Sequence, residues 1–159
     1  MPEPDHDRVE DADRIDPDLG PRRHPLAAAG VVALGGAVGT AARALLGAVI
    51  PDLAGVPFGI LVINLAGAFV LGLLLAVLGR LGPDVGRRQT VRLLCGTGVL
   101  GGFTTYSALA TDTVLLIDGG DLLRGLGYAV ITVLAGALLS WAGLLSGRAV
   151  PLGRGREAS

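Results

Sequence analysis

Four long apolar stretches constrain the fold of this 159-residue chain more than any other feature. They run from Leu26 to Ile50, from Phe58 to Gly79, from Val91 to Ile117 and from Leu122 to Gly147. Each is near or above the roughly 20 residues that a helix needs to cross a hydrocarbon core about 30 Å thick. None has the polar face of a helix in a soluble bundle. We therefore predict an all-α membrane protein with four transmembrane helices.

Polar segments flank the four spans. Eight of the fourteen carboxylates fall within the first 18 residues, which carry almost no apolar side chains. Such a segment cannot bury enough surface to offset its ordering entropy, and its acidic start differs from the basic start of a signal peptide. We predict a disordered acidic tail over 1–24, a transmembrane domain over 25–148 and a flexible C-terminal tail over 149–159.

Composition excludes several classes of function. The loops between the spans are short, so no soluble catalytic domain is expected and we predict that the chain is not an enzyme. The net charge of −1 comes with no basic stripe that could bind phosphates, so we expect no nucleic-acid partner. The single cysteine, Cys95, excludes an internal disulfide and a multi-cysteine metal site.

Several glycines are spaced one helical turn apart within the spans. This spacing lets helix backbones approach closely, which is how membrane helices associate without a hydrophobic driving force. We predict close helix packing at three pairs: Gly35 with Gly39, Gly98 with Gly102, and Gly143 with Gly147.

The arginines are distributed unequally about the spans. With four spans, both termini and the loop between spans two and three lie on one side of the membrane. The opposite side carries only Arg124, beside Asp52, Asp118 and Asp121. The positive-inside rule therefore predicts a multi-pass protein of the cell membrane with both termini in the cytoplasm. The side with the termini carries Arg22, Arg23, Arg80, Arg87, Arg88, Arg92, Arg148, Arg154 and Arg156.

Polar side chains inside the spans are candidate functional residues, because each costs free energy to insert. Arg43 in the first span is either functional or extends its guanidinium to the interface. Asn64, near the middle of the second span, is either an interhelical hydrogen-bonding group or a donor that lines a pore. Asp112 in the third span is either functional or a carboxylate at a helix end.

The third span contains a glycine- and threonine-rich segment from Gly96 to Thr105. It predicts a helix interruption, which survives at membrane depth only where it is buried in protein or lines a cavity. Carbonyls released there could bind a cation such as Na⁺. The alternative is a glycine-lined helix contact in which the hydroxyls bond back to the i−4 carbonyls.

Hydroxyl side chains form a stripe on the last span. Tyr128, Thr132 and Ser140 fall on one face of an otherwise apolar helix. Hydroxyl and amide donors can bind a dehydrated anion without holding it by full charge, which is the compromise that conduction requires.

Taken in order, these motifs resemble the CrcB/Fluc family of fluoride channels over nearly all of the chain after the acidic tail. The matching motifs are Gly39-x-x-x-Arg43, Pro57-x-x-x-x-x-x-Asn64-x-x-Gly67, the run from Gly101 to Ser107, and Tyr128-x-x-x-Thr132. The resemblance implies an antiparallel dimer in membrane lipid, with two pores along the subunit interface. It also implies passive export of fluoride from the cytoplasm, which lowers its toxicity.

The resemblance also implies roles for individual residues. Backbone carbonyls of Gly101 and Thr104 would hold a structural Na⁺ at the dimer interface, which is not transported. The residues expected to contact fluoride or line the pore are Asn64, Tyr106, Ser107, Tyr128 and Thr132. Further functional positions are Arg43, Thr105 and Asp112.

The chain departs from the family where two phenylalanines usually follow the threonines. Tyr106 keeps an aromatic edge, whereas Leu109 offers no ring, so a homodimer would lack the second ring in both pores. Together with the arginine bias, this departure favours a heterodimer with a homologous subunit of opposite bias. The alternatives are a non-conducting, structural half of such a heterodimer and a small four-helix multidrug-type transporter. The second is disfavoured because Arg43 is the only charge in the first span.

Overall fold

The computed structural model describes residues 25–53 and 55–151. The predicted tail over 1–24 and most of the predicted C-terminal tail lie outside these residues. The described part contains four helical segments that are long and apolar enough to cross a membrane, as predicted. We label the helices α1 (Pro25–Val49), α2 (Phe58–Arg80), α3 (residues 87–103), α4 (Tyr106–Asp118) and α5 (Leu122–Ala149).

The ends of the spans agree with the predicted ones to within two residues, with one exception. The third span begins at Arg87, four residues before the predicted Val91, because its first turns extend into the polar loop. That loop turns through Gly82 and Gly86, whose φ values of 108° and 59° are ones that side-chain-bearing residues rarely adopt. At the other end of the bundle, the Asp121 side chain caps α5 by accepting from the Arg124 amide at 2.9 Å.

Glycines bring the backbones of two pairs of helices together, α1 with α3 and α2 with α5. A Cβ on Gly39 of α1 would overlap the Val99 carbonyl oxygen, and a Cβ on Gly98 of α3 would lie 2.9 Å from the Gly35 Cα. Between α2 and α5, a Cβ on Gly143 would overlap the Phe69 carbonyl oxygen, and one on Gly147 would lie 2.8 Å from the Leu73 carbonyl oxygen. These contacts explain why small residues recur one turn apart.

The third span is interrupted, as predicted. Its first part consists of Arg87–Val91, a π-helical stretch at Arg92–Leu100 and Gly101–Phe103, which together make up α3. Only Thr104 and Thr105 leave the helix, with ψ values of 152° and 122°. The break lies within the glycine- and threonine-rich segment, as predicted, whereas Gly98 and Gly102 of the same segment stay helical and pack against α1.

Much of the helix surface is apolar and exposed in the isolated chain. Only a few large side chains are buried within the described residues, and many leucines and valines face outward. A surface of this kind is what lipid or a second subunit covers. The buried large side chains are Ile63, Leu100, Leu109, Tyr128 and Thr132.

Candidate functional site

Asn64 of α2 pairs with the backbone at the helix break. Its Nδ2 donates to the Thr105 carbonyl oxygen at 3.0 Å, and the Thr105 amide donates to Asn64 Oδ1 at 2.8 Å. The amide side chain therefore satisfies both backbone groups of an extended residue, as a neighbouring strand would. Without this pairing, the N–H and the carbonyl of Thr105 would each cost free energy as unpaired groups away from water.

The break releases carbonyls from the helical ladder, and those of Gly101 and Thr104 are among them. In a continuous α-helix the Thr105 amide would bond to the Gly101 carbonyl, and the Ala108 amide would bond to the Thr104 carbonyl. Instead, the Thr105 amide bonds to Asn64, and the Ala108 amide donates to Thr105 Oγ1 at 3.2 Å. Gly101 is exposed, and a Cβ on it would meet nothing within 4 Å. Carbonyls released in this way are suitable ligands for a cation such as Na⁺.

The carbonyl of Gly102 is occupied by side chains from α1. Arg43 Nε donates to it at 3.2 Å, and Thr40 Oγ1 donates to it at 3.4 Å. A cation next to the carbonyl end of a helix also interacts favourably with the helix dipole. Arg43 is thus bonded to the end of α3, in contrast to the interpretation in which it extends to the interface. Thr40 was missed from the sequence, although it lies one turn before Arg43 on the same face of α1.

An open cavity of about 290 Å³ lies beside the break. It brings together five of the predicted residues with apolar and small side chains from α2, α4 and α5. The predicted residues are Asn64, Thr104, Thr105, Tyr106 and Thr132, and the others are Gly67, Ala68, Leu71, Leu109, Val133 and Gly136.

Hydrogen bonding within the chain decides which groups can donate into this cavity. Thr132 Oγ1 donates to the Tyr128 carbonyl at 2.7 Å, and Thr104 Oγ1 donates to the Leu100 carbonyl at 2.8 Å. Both are i−4 bonds, which the alternative interpretation of the third span expected for Thr104, so both hydroxyl protons are already used. Asn64 keeps its second amide hydrogen, since Nδ2 carries two.

The two positions that depart from the family differ in how far they are exposed. Tyr106 is 79% exposed and directs its ring away from its own helices, whereas Leu109 is only 6% exposed. Both line the cavity. The Tyr106 ring is therefore accessible from outside the isolated chain, whereas Leu109 forms part of the cavity wall.

Five of the predicted residues lie outside the cavity lining: Arg43, Gly101, Ser107, Asp112 and Tyr128. Ser107 is exposed, and its hydroxyl lies 3.0 Å from Thr105 Oγ1. Tyr128 donates to Asp112 Oδ2 at 3.4 Å, and Asp112 lines a separate cavity of about 420 Å³ together with Asp52. The expected continuous hydroxyl track on α5 is thus divided between two places in this chain. Asp52 was not predicted as a site residue, and only its place directly after Pro51 at a span end could have indicated it.

Comparisons with known proteins agree with the resemblance in the motifs. A family model described as CrcB-like protein, Camphor Resistance (CrcB), matches residues 30–144. The chain is 52% identical over 128 residues to fluoride-specific ion channel FluC 2 of Leifsonia xyli subsp. xyli, covering 80% of this chain and 88% of that protein. It is 49% identical over 122 residues to FluC 1 of Cutibacterium acnes, with coverages of 76% and 85%. It is 41% identical over 125 residues to FluC of Gloeobacter violaceus, with coverages of 76% and 95%.

Proposed function

The chain belongs to the CrcB family, and from this membership we propose that it forms a passive, fluoride-specific channel that releases fluoride from the cytoplasm. Three relatives are named fluoride-specific ion channels, at 41–52% identity over most of both chains. The observation that carries the proposal is the cavity at the break, which is lined by Asn64, Thr105 and Tyr106. The chain acts by transport and not by catalysis.

The cavity suits a small anion that must both bind and leave. The second amide hydrogen of Asn64 and the hydroxyl of Tyr106 are donors that carry no full charge. Arg43 is bonded to Gly102 and is absent from the cavity lining. An anion there meets partial positive charges that offset its dehydration without trapping it.

A structural Na⁺ is the second part of the proposal. The carbonyls of Gly101 and Thr104 would bind it, because the break has removed their helical donors. The exposure of Gly101 fits a site that a second subunit completes. The ion would hold the helix breaks of the two subunits together at the dimer interface, and it would not itself be transported.

We further propose that the partner is a homologous subunit. The two chains would form an antiparallel heterodimer that is surrounded by lipid in the cell membrane. This chain would take the orientation with both termini in the cytoplasm, because its arginines lie at that end of the bundle. Tyr106 would supply one ring of a pore, and a homologous partner would supply the second ring that Leu109 lacks. Relatives whose names carry the numbers 1 and 2 support the idea of paired channels.

Growth of a fluoride-sensitive bacterial strain tests this function. The chain would be expressed alone, with a homologue of opposite arginine bias, and as Asn64→Leu with that homologue. We expect the wild-type pair to restore growth on fluoride, and the chain alone to do so poorly. If the Asn64→Leu pair restores growth fully, this chain is a structural half and does not line the conducting pore.

A further inference from the structure

The end of the bundle that contains the α2–α3 loop is strongly basic. Within the described residues it carries five arginines and a single carboxylate, Asp84. The opposite end carries Asp52, Asp118 and Asp121 against Arg124. We call this group of five the basic end surface: Arg80, Arg87, Arg88, Arg92 and Arg148.

Internal contacts hold the basic end surface together and use two of its arginines. Arg80 Nη1 donates to the carbonyls of Gly147 and Val150 at 2.8 and 2.7 Å, which places Arg80 beside Arg148. Arg92 Nε lies 2.6 Å from Asp84 Oδ2, which is the only carboxylate at this end among residues 25–53 and 55–151.

The other three arginines have no anionic partner in the described chain. Arg87 and Arg148 are exposed. Arg88 folds across Gly82, and its Nη1 is buried with no hydrogen-bond partner. That nitrogen has no acceptor within the described chain, so the guanidinium charge of Arg88 is not neutralised there and adds to the positive charge of this end of the bundle.

The local helix geometry also favours an anion. Arg87 and Arg88 occupy the first turn of α3, where the helix dipole disfavours positive charge. That turn has no acidic residue and no side-chain cap. A phosphate group at this position would neutralise the arginines and also accept from backbone amides of the first turn.

We propose that the basic end surface binds the headgroup of an anionic phospholipid, with Arg87, Arg88 and Arg148 as its ligands. The partner is lipid because these residues lie at the ends of helices that span the membrane, and so at the depth of the headgroups. Anionic headgroups attract such clusters with a strength that adds up from one arginine to the next. The lipid site takes no part in conduction, so an experiment can contradict it without contradicting the proposed channel.

Native mass spectrometry of the purified full chain tests the proposal. The protein would be released from mixed micelles containing equal amounts of phosphatidylglycerol and phosphatidylcholine. The ratio of bound phosphatidylglycerol to phosphatidylcholine would be measured for wild type, for Arg87→Gln/Arg88→Gln/Arg148→Gln and for Arg124→Gln. We expect the ratio to fall at least about tenfold in the triple variant, given roughly fivefold per arginine at a membrane surface. Arg124→Gln, at the opposite end, should keep the wild-type ratio.

Three results would overturn the proposal: a wild-type ratio near one, an unchanged ratio in the triple variant, or an equal fall in Arg124→Gln. Millimolar inorganic phosphate separates a lipid site from a general phosphate site, because it should leave the bound phosphatidylglycerol in place. Its displacement by phosphate would contradict the lipid assignment. If the triple variant fails to fold, Arg87→Gln alone should still lower the ratio, since the Arg87 side chain is exposed and bonds to no other residue described.

Discussion

Asn64 and Thr105, which are 41 positions apart in the chain, form two hydrogen bonds of 3.0 and 2.8 Å across the helix break. These bonds do two things at once. They satisfy an extended residue at membrane depth, and they remove the Thr105 amide from the Gly101 carbonyl. The same side chain keeps one amide hydrogen for the cavity. Asn64 is therefore an interhelical hydrogen-bonding group, and in the proposed channel it is also a donor that lines the pore.

Replacing Asn64 with leucine should damage stability and transport together. Asn64→Leu leaves the Thr105 N–H and carbonyl unpaired, which should lower the free energy of unfolding by about 2–4 kcal/mol. Fluoride flux should fall to background, because the donor to the anion is also lost. Thermal unfolding in detergent and flux into vesicles measure the two effects. Ser146→Ala is the control, since its exposed hydroxyl bonds only within α5.

The contact between α1 and α3 predicts a different response at two glycines of one helix. Gly39→Ala places a methyl group on the Val99 carbonyl, which should cost about 1–3 kcal/mol or prevent folding. Gly47→Ala meets nothing within 4 Å and should stabilise α1 by about 0.5–1 kcal/mol. Equal unfolding temperatures for the two variants would contradict the packing described for α1.

The proposed structural Na⁺ predicts that fluoride flux depends on the presence of sodium. Protein purified and reconstituted in N-methylglucamine salts should lose fluoride flux, because the two carbonyl ends at the break would repel each other without a cation. Adding Na⁺ back should restore the flux. Flux that is the same throughout in N-methylglucamine and in Na⁺ would show that the Gly101 and Thr104 carbonyls hold no required ion.

Because Leu109 provides no second aromatic ring, we expect that adding a ring at this position produces a gain of function. Tyr106→Phe/Leu109→Phe supplies both rings in one chain, and the added side-chain volume at position 109 can extend into the adjoining cavity. We expect this variant to conduct fluoride without a partner, whereas Tyr106→Phe alone should not. If the single variant alone conducts as well as the double variant, the ring at position 109 is not what limits the chain.

The sequence predicts the fold better than it predicts the site. Length and apolarity suffice for the four spans, because a continuous helix satisfies its own backbone hydrogen bonds where lipid surrounds its apolar side chains. The three glycine pairs also follow from spacing alone. The start of the third span was missed, since Arg87 and Arg88 are polar and the helix there lies outside the apolar stretch.

The details of the break could not be predicted, because they depend on contacts between different helices. The glycine- and threonine-rich segment indicated an interruption, but it did not show that Gly98 and Gly102 pack against α1, nor that Asn64 pairs with the backbone at Thr105. Periodicity places Tyr128 and Thr132 on one face. It does not show that the Thr132 hydroxyl donates a hydrogen bond to the Tyr128 carbonyl of its own helix. Nor does it show that the Tyr128 hydroxyl donates to Asp112.

The most direct test of the central claim is fluoride efflux from proteoliposomes, followed with a fluoride electrode and compared with chloride efflux. The chain would be reconstituted alone and together with a homologue of opposite arginine bias. The account predicts rapid, fluoride-selective efflux from the pair that is lost with Asn64→Leu, and little from the chain alone. Chloride efflux as fast as fluoride efflux, or no fluoride efflux from either preparation, would contradict it.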